Sequence, residues 1–207
     1  MMRFARFALL SLLFIPICGY AQGNEIGLVV GGTTSPNASI PFSVIGQGIS
    51  NAANLQFGTG VTYEGVLAHR LVNAHIASIY LELPVVGSPN RDLNSNNYGH
   101  IGSFSSIFVT PSLKLKISGP GFSPFLSAGA GVAHFTTSPS GSSQTNGSTT
   151  AALQLGAGVD ISTPIPFLAL RGEVREFRTG RPDLAGFTAD SNTQHNIFYG
   201  AGLVVHF

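Results

Sequence analysis

The 207-residue chain has one cysteine, Cys18, and no tryptophan. Cys18 lies in an amino-terminal stretch expected to be removed, so the mature chain has neither a disulfide framework nor a thiolate metal site. Charge is scarce. Only 9% of residues are Asp, Glu, Lys or Arg, against about 25% in an ordinary soluble domain. Without Arg3 and Arg6, eight Lys and Arg stand against nine Asp and Glu, which leaves no basic footprint for nucleic acid. Long apolar runs are missing too. The run from Phe7 to Ile17 falls short of the ~20 residues a membrane helix needs, and no later run is long enough.

The amino end does carry a charged region with Arg3 and Arg6, that apolar run, and a small-x-small site at Gly19-Tyr20-Ala21. This predicts a signal peptide over residues 1–21, cleavage after Ala21, and an exported domain over 22–207. Cys18 follows Pro16 and Ile17, a poor match to a lipidated cysteine. An apolar-rich, charge-poor, exported chain without helical periodicity fits a closed β-barrel, which crosses lipid with alternating strands of about 9–11 residues.

Alternation and punctuation predict eight strands. They cover residues 24–32, 55–68, 74–83, 104–117, 123–135, 151–161, 167–177 and 196–207. The connections alternate long and short. Polar loops are expected over 33–54, 84–103, 136–150 and 178–195, and tight turns at "HRLVN", "SGPGF" and "STPIP". The expected fold class is all-β: a single closed antiparallel up-and-down transmembrane barrel with short turns at one end and longer loops at the other. A soluble eight-stranded barrel would carry charge on its outer face. Here the sets Leu113/Leu115/Ile117, Leu153/Leu155/Ala157/Val159 and Ala201/Leu203/Val205 are apolar.

Glycines recur two apart in "FGTGV", "AGAGV", "LGAGV" and "YGAGL". That spacing puts each pair on one strand face, expected to be the crowded lumen. A nucleotide-binding glycine loop would need a following helix, and none is predicted. Tyr63, Tyr80, Phe125, Phe167, Phe177 and Tyr199 are candidates for interfacial aromatic girdles.

In "LRGEVREF", Arg171, Glu173 and Arg175 share a face. Each Arg facing lipid near the midplane would cost roughly 2–4 kcal/mol, so the set is expected to point inward. Glu64, Asp160, Lys114 and Lys116 fall on inward positions as well, with Glu82 expected near the external mouth. A salt-bridge ladder plugging the lumen is the expected arrangement, with an ion path as the functional alternative. Catalysis would need nucleophile, base and orienting group in reach. His134 and Ser138 are the nearest approach, with Ser138 expected in a flexible loop, and no catalytic set is assigned. His69, His75, His100, His134, His195 and His206 show no metal-ligand spacing, and no metal or cofactor is expected. Asn37-Ala-Ser39 and Asn146-Gly-Ser148 match a glycosylation pattern that Asn- and Ser-rich loops produce by chance. The loop charges Arg91, Asp92, Arg181, Asp183 and Asp190 select no external ligand.

With terminal Phe207 alternating with Val205, Leu203 and Tyr199, the chain resembles the small bacterial outer-membrane β-barrels akin to outer-membrane proteins A and X. The resemblance covers residues 24–207 and rests on pattern. It implies a location in the bacterial outer membrane, outer-membrane lipid and lipopolysaccharide around the wall, and a monomeric barrel. It also implies that the terminal strand is presented to the barrel-assembly machinery. The family mixes anchors, adhesins, serum-resistance factors and a few lipid-modifying enzymes. Its lipid A deacylases use a His-x-Ser pair, where this chain has His134-Phe135-Thr136. The expected role is therefore structural or surface-interacting and not enzymatic, the alternatives being a lipid A-modifying esterase or a narrow channel.

Overall fold

Strand β1 (Asn24–Thr34) is the piece of wall where the sheet meets itself. On one edge it pairs antiparallel with β4 (Gly60–Asn73), from Asn24↔His69 to Thr33↔Gly60. On the other it pairs with β11 (Thr193–His206), from Glu25↔His206 to Thr34↔Ile197. Having partners on both edges, β1 leaves no open seam there, and closure removes the unpaired edges that lipid would not tolerate. The computed structural model describes residues 23–35, 38–43, 50–57, 60–95, 99–139, 146–180 and 193–207. The expected signal peptide, Asn37, Arg181, Asp183 and Asp190 lie outside the described residues.

From β4 the wall continues through β5 (Ala77–Ser95), then a stave made of β6 (Gly99–Val109) and β7 (Ser112–Ile117). It proceeds through β8 (Phe122–Pro139), β9 (Asn146–Ser162) and β10 (Leu168–Gly180) to β11. The result is a closed antiparallel barrel of eight staves, as the alternation predicts. The stave 104–117 is broken at Thr110-Pro111, yet its register holds across the break. Val85↔Val109 and Glu82↔Ser112 align on one side, Val109↔Val132 and Ser112↔Gly129 on the other. Proline simply removes donors there. Thr110 N–H still bonds to the Pro84 carbonyl (3.4 Å) and Ala130 N–H to the Pro111 carbonyl (3.2 Å).

Two expected loops prove largely strand. Residues 84–95 and 99–103 extend β5 and β6 beyond the apolar belt, and β8 and β9 reach Pro139 and Asn146. Their polar composition reads as loop, but it reflects strands leaving the region where an outer face must be apolar. Within the long 33–54 segment, β2 (Ala38–Ser43) and β3 (Ser50–Phe57) form a hairpin that joins the sheet at Leu55↔Ser95 to Phe57↔Leu93. At the opposite end the turns are tight, although the expected turn "HRLVN" is the last part of β4 and the chain reverses over 74–76 instead. His75 (φ 58°) and Gly121 (φ 87°) take the left-handed conformation that such reversals need.

Inside and outside alternate residue by residue. Leu28 is 69% exposed and Val29 is 1% exposed. Leu113, Leu115, Leu126, Leu153, Leu155, Leu170, Val174 and Leu203 continue the outward set, so the wall carries a broad apolar belt. Such a patch is far beyond what a water-soluble monomer exposes. Of the expected girdle aromatics, Tyr63, Phe167 and Tyr199 do face outward. Tyr80, Phe125 and Phe177 are buried inside instead. Phe177 lies two residues beyond Arg175, and strand parity carries it inward with that side chain.

Candidate functional site

Among the described residues, buried charged side chains converge in the lumen, which is stratified. Following β10 from the turn end, the inward positions read Ala169, Arg171, Glu173, Arg175, Phe177 and Thr179. The three expected charges are all buried, as are Glu64, Lys114, Lys116 and Asp160. Arg171 grips Asp160 with two parallel bonds, Nε to Oδ1 (2.7 Å) and Nη2 to Oδ2 (2.8 Å), and also reaches Glu25 (3.1 Å). Such forked pairing suits guanidinium and carboxylate geometry. Lys114 and Lys116 bond the same Glu25 at 2.6 and 3.0 Å, and Lys116 lies 2.7 Å from Asp160.

Above this tier, Arg175 is shared by three carboxylates: Glu64 (3.0 Å), Glu82 (2.8 Å) and Glu173 (3.1 Å). Glu82 also meets Lys114 (3.2 Å). Glu82 therefore belongs inside the ladder and not at the external mouth, because its partners Ala68 and Ser112 lie in the turn-end half of their staves. Glu25 was not singled out from sequence. The alternation of Ile26, Leu28 and Val30 already carried the signal, since their neighbours must face the other way.

Small residues make room for these long side chains. A Cβ on Gly156 would lie 2.5 Å from Ser127 Oγ and 3.3 Å from Arg175 Cγ. One on Gly158 would lie 2.7 Å from the Gly172 carbonyl and 2.8 Å from Glu173 Cβ. Gly156 and Gly158 thus line the lumen as expected, whereas Gly58 of the first pair lies outside the described residues. Aromatic rings also line the ladder: Arg171 Cζ sits 4.7 Å from the Phe125 ring centre and Lys114 Nζ 4.9 Å from that of Tyr80. Cation–π attraction of about 2 kcal/mol is reached when such contacts are desolvated.

Beyond the charges the lumen turns apolar. Phe104, Phe108, Phe135, Phe177 and Phe198 pack with Val29, Val86, Ala133 and Ala152. Phe108 stacks on Phe177 at 4.4 Å, Phe104 on Phe135 at 5.5 Å, and Phe108 meets Phe135 edge-on at 5.8 Å. Each aromatic pair adds roughly 0.5–1.5 kcal/mol beyond area burial. Past this tier come Thr33, Thr62 and Ser88, joined by mutual hydroxyl bonds, and Arg91, whose Nη1 donates to Ser35 Oγ (3.3 Å). Arg91 is buried and so is not the exposed loop charge expected of it, whereas Asp92 is exposed.

His134 points outward from β8, where its Nδ1 is 2.8 Å from Thr149 Oγ1. Its register neighbours are Ile107 and Thr149, neither a carboxylate. Ser138 sits on the same strand, paired with Ser103, rather than in a flexible loop. Glu25, Asp160 and His206 offer ligand atoms within 4.8 Å of one another, a grouping that sequence spacing does not reveal. Both carboxylates are already engaged by Lys114, Lys116 and Arg171, so a cation there would meet three positive charges. On the outer wall, Glu176 accepts from Arg178 Nε (3.0 Å) and lies 2.7 Å from His195 Nδ1.

No protein-family model matches the chain, and no curated protein sequence is similar to it. Solved structures are similar in fold. Neisserial surface protein A is 13% identical, with 89% of this chain and 97% of that one covered at a TM-score of 0.60. The outer membrane protein OprG of Pseudomonas aeruginosa is 15% identical, with coverage of 91% and 98% and a TM-score of 0.47. The outer membrane enzyme PagL is 16% identical, with coverage of 89% and 99% and a TM-score of 0.45. The chain has the fold of the small bacterial outer-membrane β-barrels, and its apolar belt sets that fold in lipid.

Proposed function

We propose that this outer-membrane barrel is non-catalytic, with a sealed lumen that serves as its structural core and with its interactions made by the wall and the long connections. The observation that carries the reading is the filling of the lumen. An ion-paired tier and a phenylalanine tier follow one another along the axis, and both are buried. An eight-stranded barrel has an interior only wide enough for side chains, so two filled tiers leave no continuous water column. The outward His134 lacks a carboxylate at its register neighbours and has Thr136 where a His-x-Ser pair would have its nucleophile, which supports a non-enzymatic role. The apolar belt would be surrounded by outer-membrane lipid and lipopolysaccharide, the closed wall would function as a monomer, and the barrel-assembly machinery would insert it.

Planar-bilayer recording and lipid A mass spectrometry test this together. The purified protein is expected to show no stable open conductance, and lipid A from cells with and without it is expected to carry the same acyl chains. A steady current lost on substituting Arg171 or Arg175 would make the ladder a pore lining. An acyl chain whose removal depends on His134 would make the protein an enzyme.

A further inference from the structure

Below the ion ladder, at the tight-turn end, the lumen opens into a polar vestibule of about 480 Å³. Arg70, His75, Ser78, Tyr80, Lys116 and His206 line it, and no carboxylate does. Lys116 forms its floor, nearly buried, with its ammonium already bridging Glu25 and Asp160. Arg70, half-buried at the end of β4, has no carboxylate partner among the described residues. The terminal residue, Phe207, lines a separate apolar groove on the outer wall.

The charge behind this opening is lopsided. Two acids of the lower tier, Glu25 and Asp160, are surrounded by Lys114, Lys116 and Arg171, and Arg70 adds a cation without adding an acid. Higher up, Glu64, Glu82 and Glu173 converge on Arg175. Of these cations Arg70 and Lys116 line the vestibule, with Glu25 3.6 Å behind His206, and the acid surplus faces the phenylalanines. A cleft of one sign with low-dielectric walls focuses its field and concentrates the opposite charge.

We infer that the vestibule binds a phosphate group. Arg70 supplies a forked donor and the unmatched charge, and His75, His206 and Tyr80 supply further N–H and O–H donors around it, Ser78 Oγ being engaged with Asn73 Oδ1. That donor set exceeds what the two oxygens of a carboxylate can use, and it suits the three oxygens of a phosphoryl group. The group can arrive as free inorganic phosphate or as the phosphomonoester headgroup of a phosphatidic acid in the adjoining leaflet. The site lies at the opposite end of the lumen from the long connections, so it holds or fails independently of the non-catalytic role.

The mature full-length protein in a phosphate-free maltoside detergent would be titrated calorimetrically with inorganic phosphate and, in parallel, with short-chain phosphatidic acid. Saturable one-site binding is expected, weakened about tenfold or more in Arg70→Gln, as loss of a charge-assisted fork requires. It should be only partly restored in Arg70→Lys and unchanged in Arg178→Gln, which alters the outer wall. Circular dichroism of each variant establishes that the barrel is intact. Tighter binding of the lipid names the headgroup as the source, and tighter binding of the ion names free phosphate. No saturable binding of either probe at millimolar concentration, or binding indifferent to Arg70→Gln, overturns the inference.

Discussion

Removing Arg175 should destabilise the barrel more than removing Arg171, although both are buried arginines on one strand face. The difference lies in what each leaves behind. Without Arg171, Asp160 keeps Lys116 at 2.7 Å, and Glu25 keeps Lys114 and Lys116. Without Arg175, Glu82 keeps Lys114 at 3.2 Å, but Glu64 and Glu173 lose their cation partner. Breaking a buried pair so that a charge is left uncompensated costs about 3–5 kcal/mol. Losing hydrogen bonds to a charge that retains another partner costs about 1.5–3 kcal/mol. At roughly 2–4 °C per kcal/mol for a chain of this size, Arg175→Met should lower the thermal midpoint by about 6–20 °C. Arg171→Met should lower it by about 3–12 °C on the same scale. Thermal unfolding followed by circular dichroism in detergent measures both. Adding Glu173→Gln to Arg175→Met should recover part of the loss, because it removes one of the stranded acids. Equal losses for the two arginines, or no recovery in the double variant, would refute the ranking of their partners.

Two further outcomes follow from the wall. In Gly202→Ala the new methyl would run into the Leu28 carbonyl and come within 2.6 Å of Val29 Cα, whereas Gly87→Ala meets nothing within 4 Å. The first should cost about 1–3 kcal/mol as overpacking and the second close to nothing, as denaturant titration in detergent would show. Phe207 exchanges backbone bonds with Asn24 (2.9 and 3.0 Å) and lines an apolar groove with Ile26, Leu67 and Leu83. Phe207→Asp should therefore reduce the amount recovered in the outer-membrane fraction and raise degraded or aggregated material, and unchanged insertion would contradict this.

How much of this was legible in the sequence depends on which rule governs each residue. The inward set Arg171/Glu173/Arg175 was readable because lipid forbids the alternative, and one forbidden face fixes a whole strand. Phe177 was not readable by type, since an aromatic ring suits both the lipid interface and a packed lumen. Only its parity with Arg175 distinguishes the two. Glu25 stood on a strand recognised from Ile26, Leu28 and Val30, yet its worth depends on Lys114, Lys116 and Arg171, which register alone brings to it. The polar stretch 84–103 read as loop because a strand that has left the lipid no longer needs an apolar face. Arg91 was misplaced for the same reason. The vestibule, finally, is made by five staves and a turn meeting at one end, and no local pattern announces it.

The ladder also bears on how the barrel comes together. Glu25 sits on the first stave, and its three cations come from the fourth and the seventh. An unrolled or partly rolled sheet therefore holds this acid apart from all of them, and Glu25 carries unmatched charge beside lipid or trapped water. Asp160 and Arg171 already face each other across β9 and β10, but Glu25 reaches them only when β1 meets β11. Neutralisation of Glu25 and zipping of the last seam are then a single event, so intermediates with a gap in the wall are penalised by charge as well as by open backbone. The lumen acts as a checkpoint on circumference: a barrel one stave short or wide would close its hydrogen bonds and still fail to balance its charges.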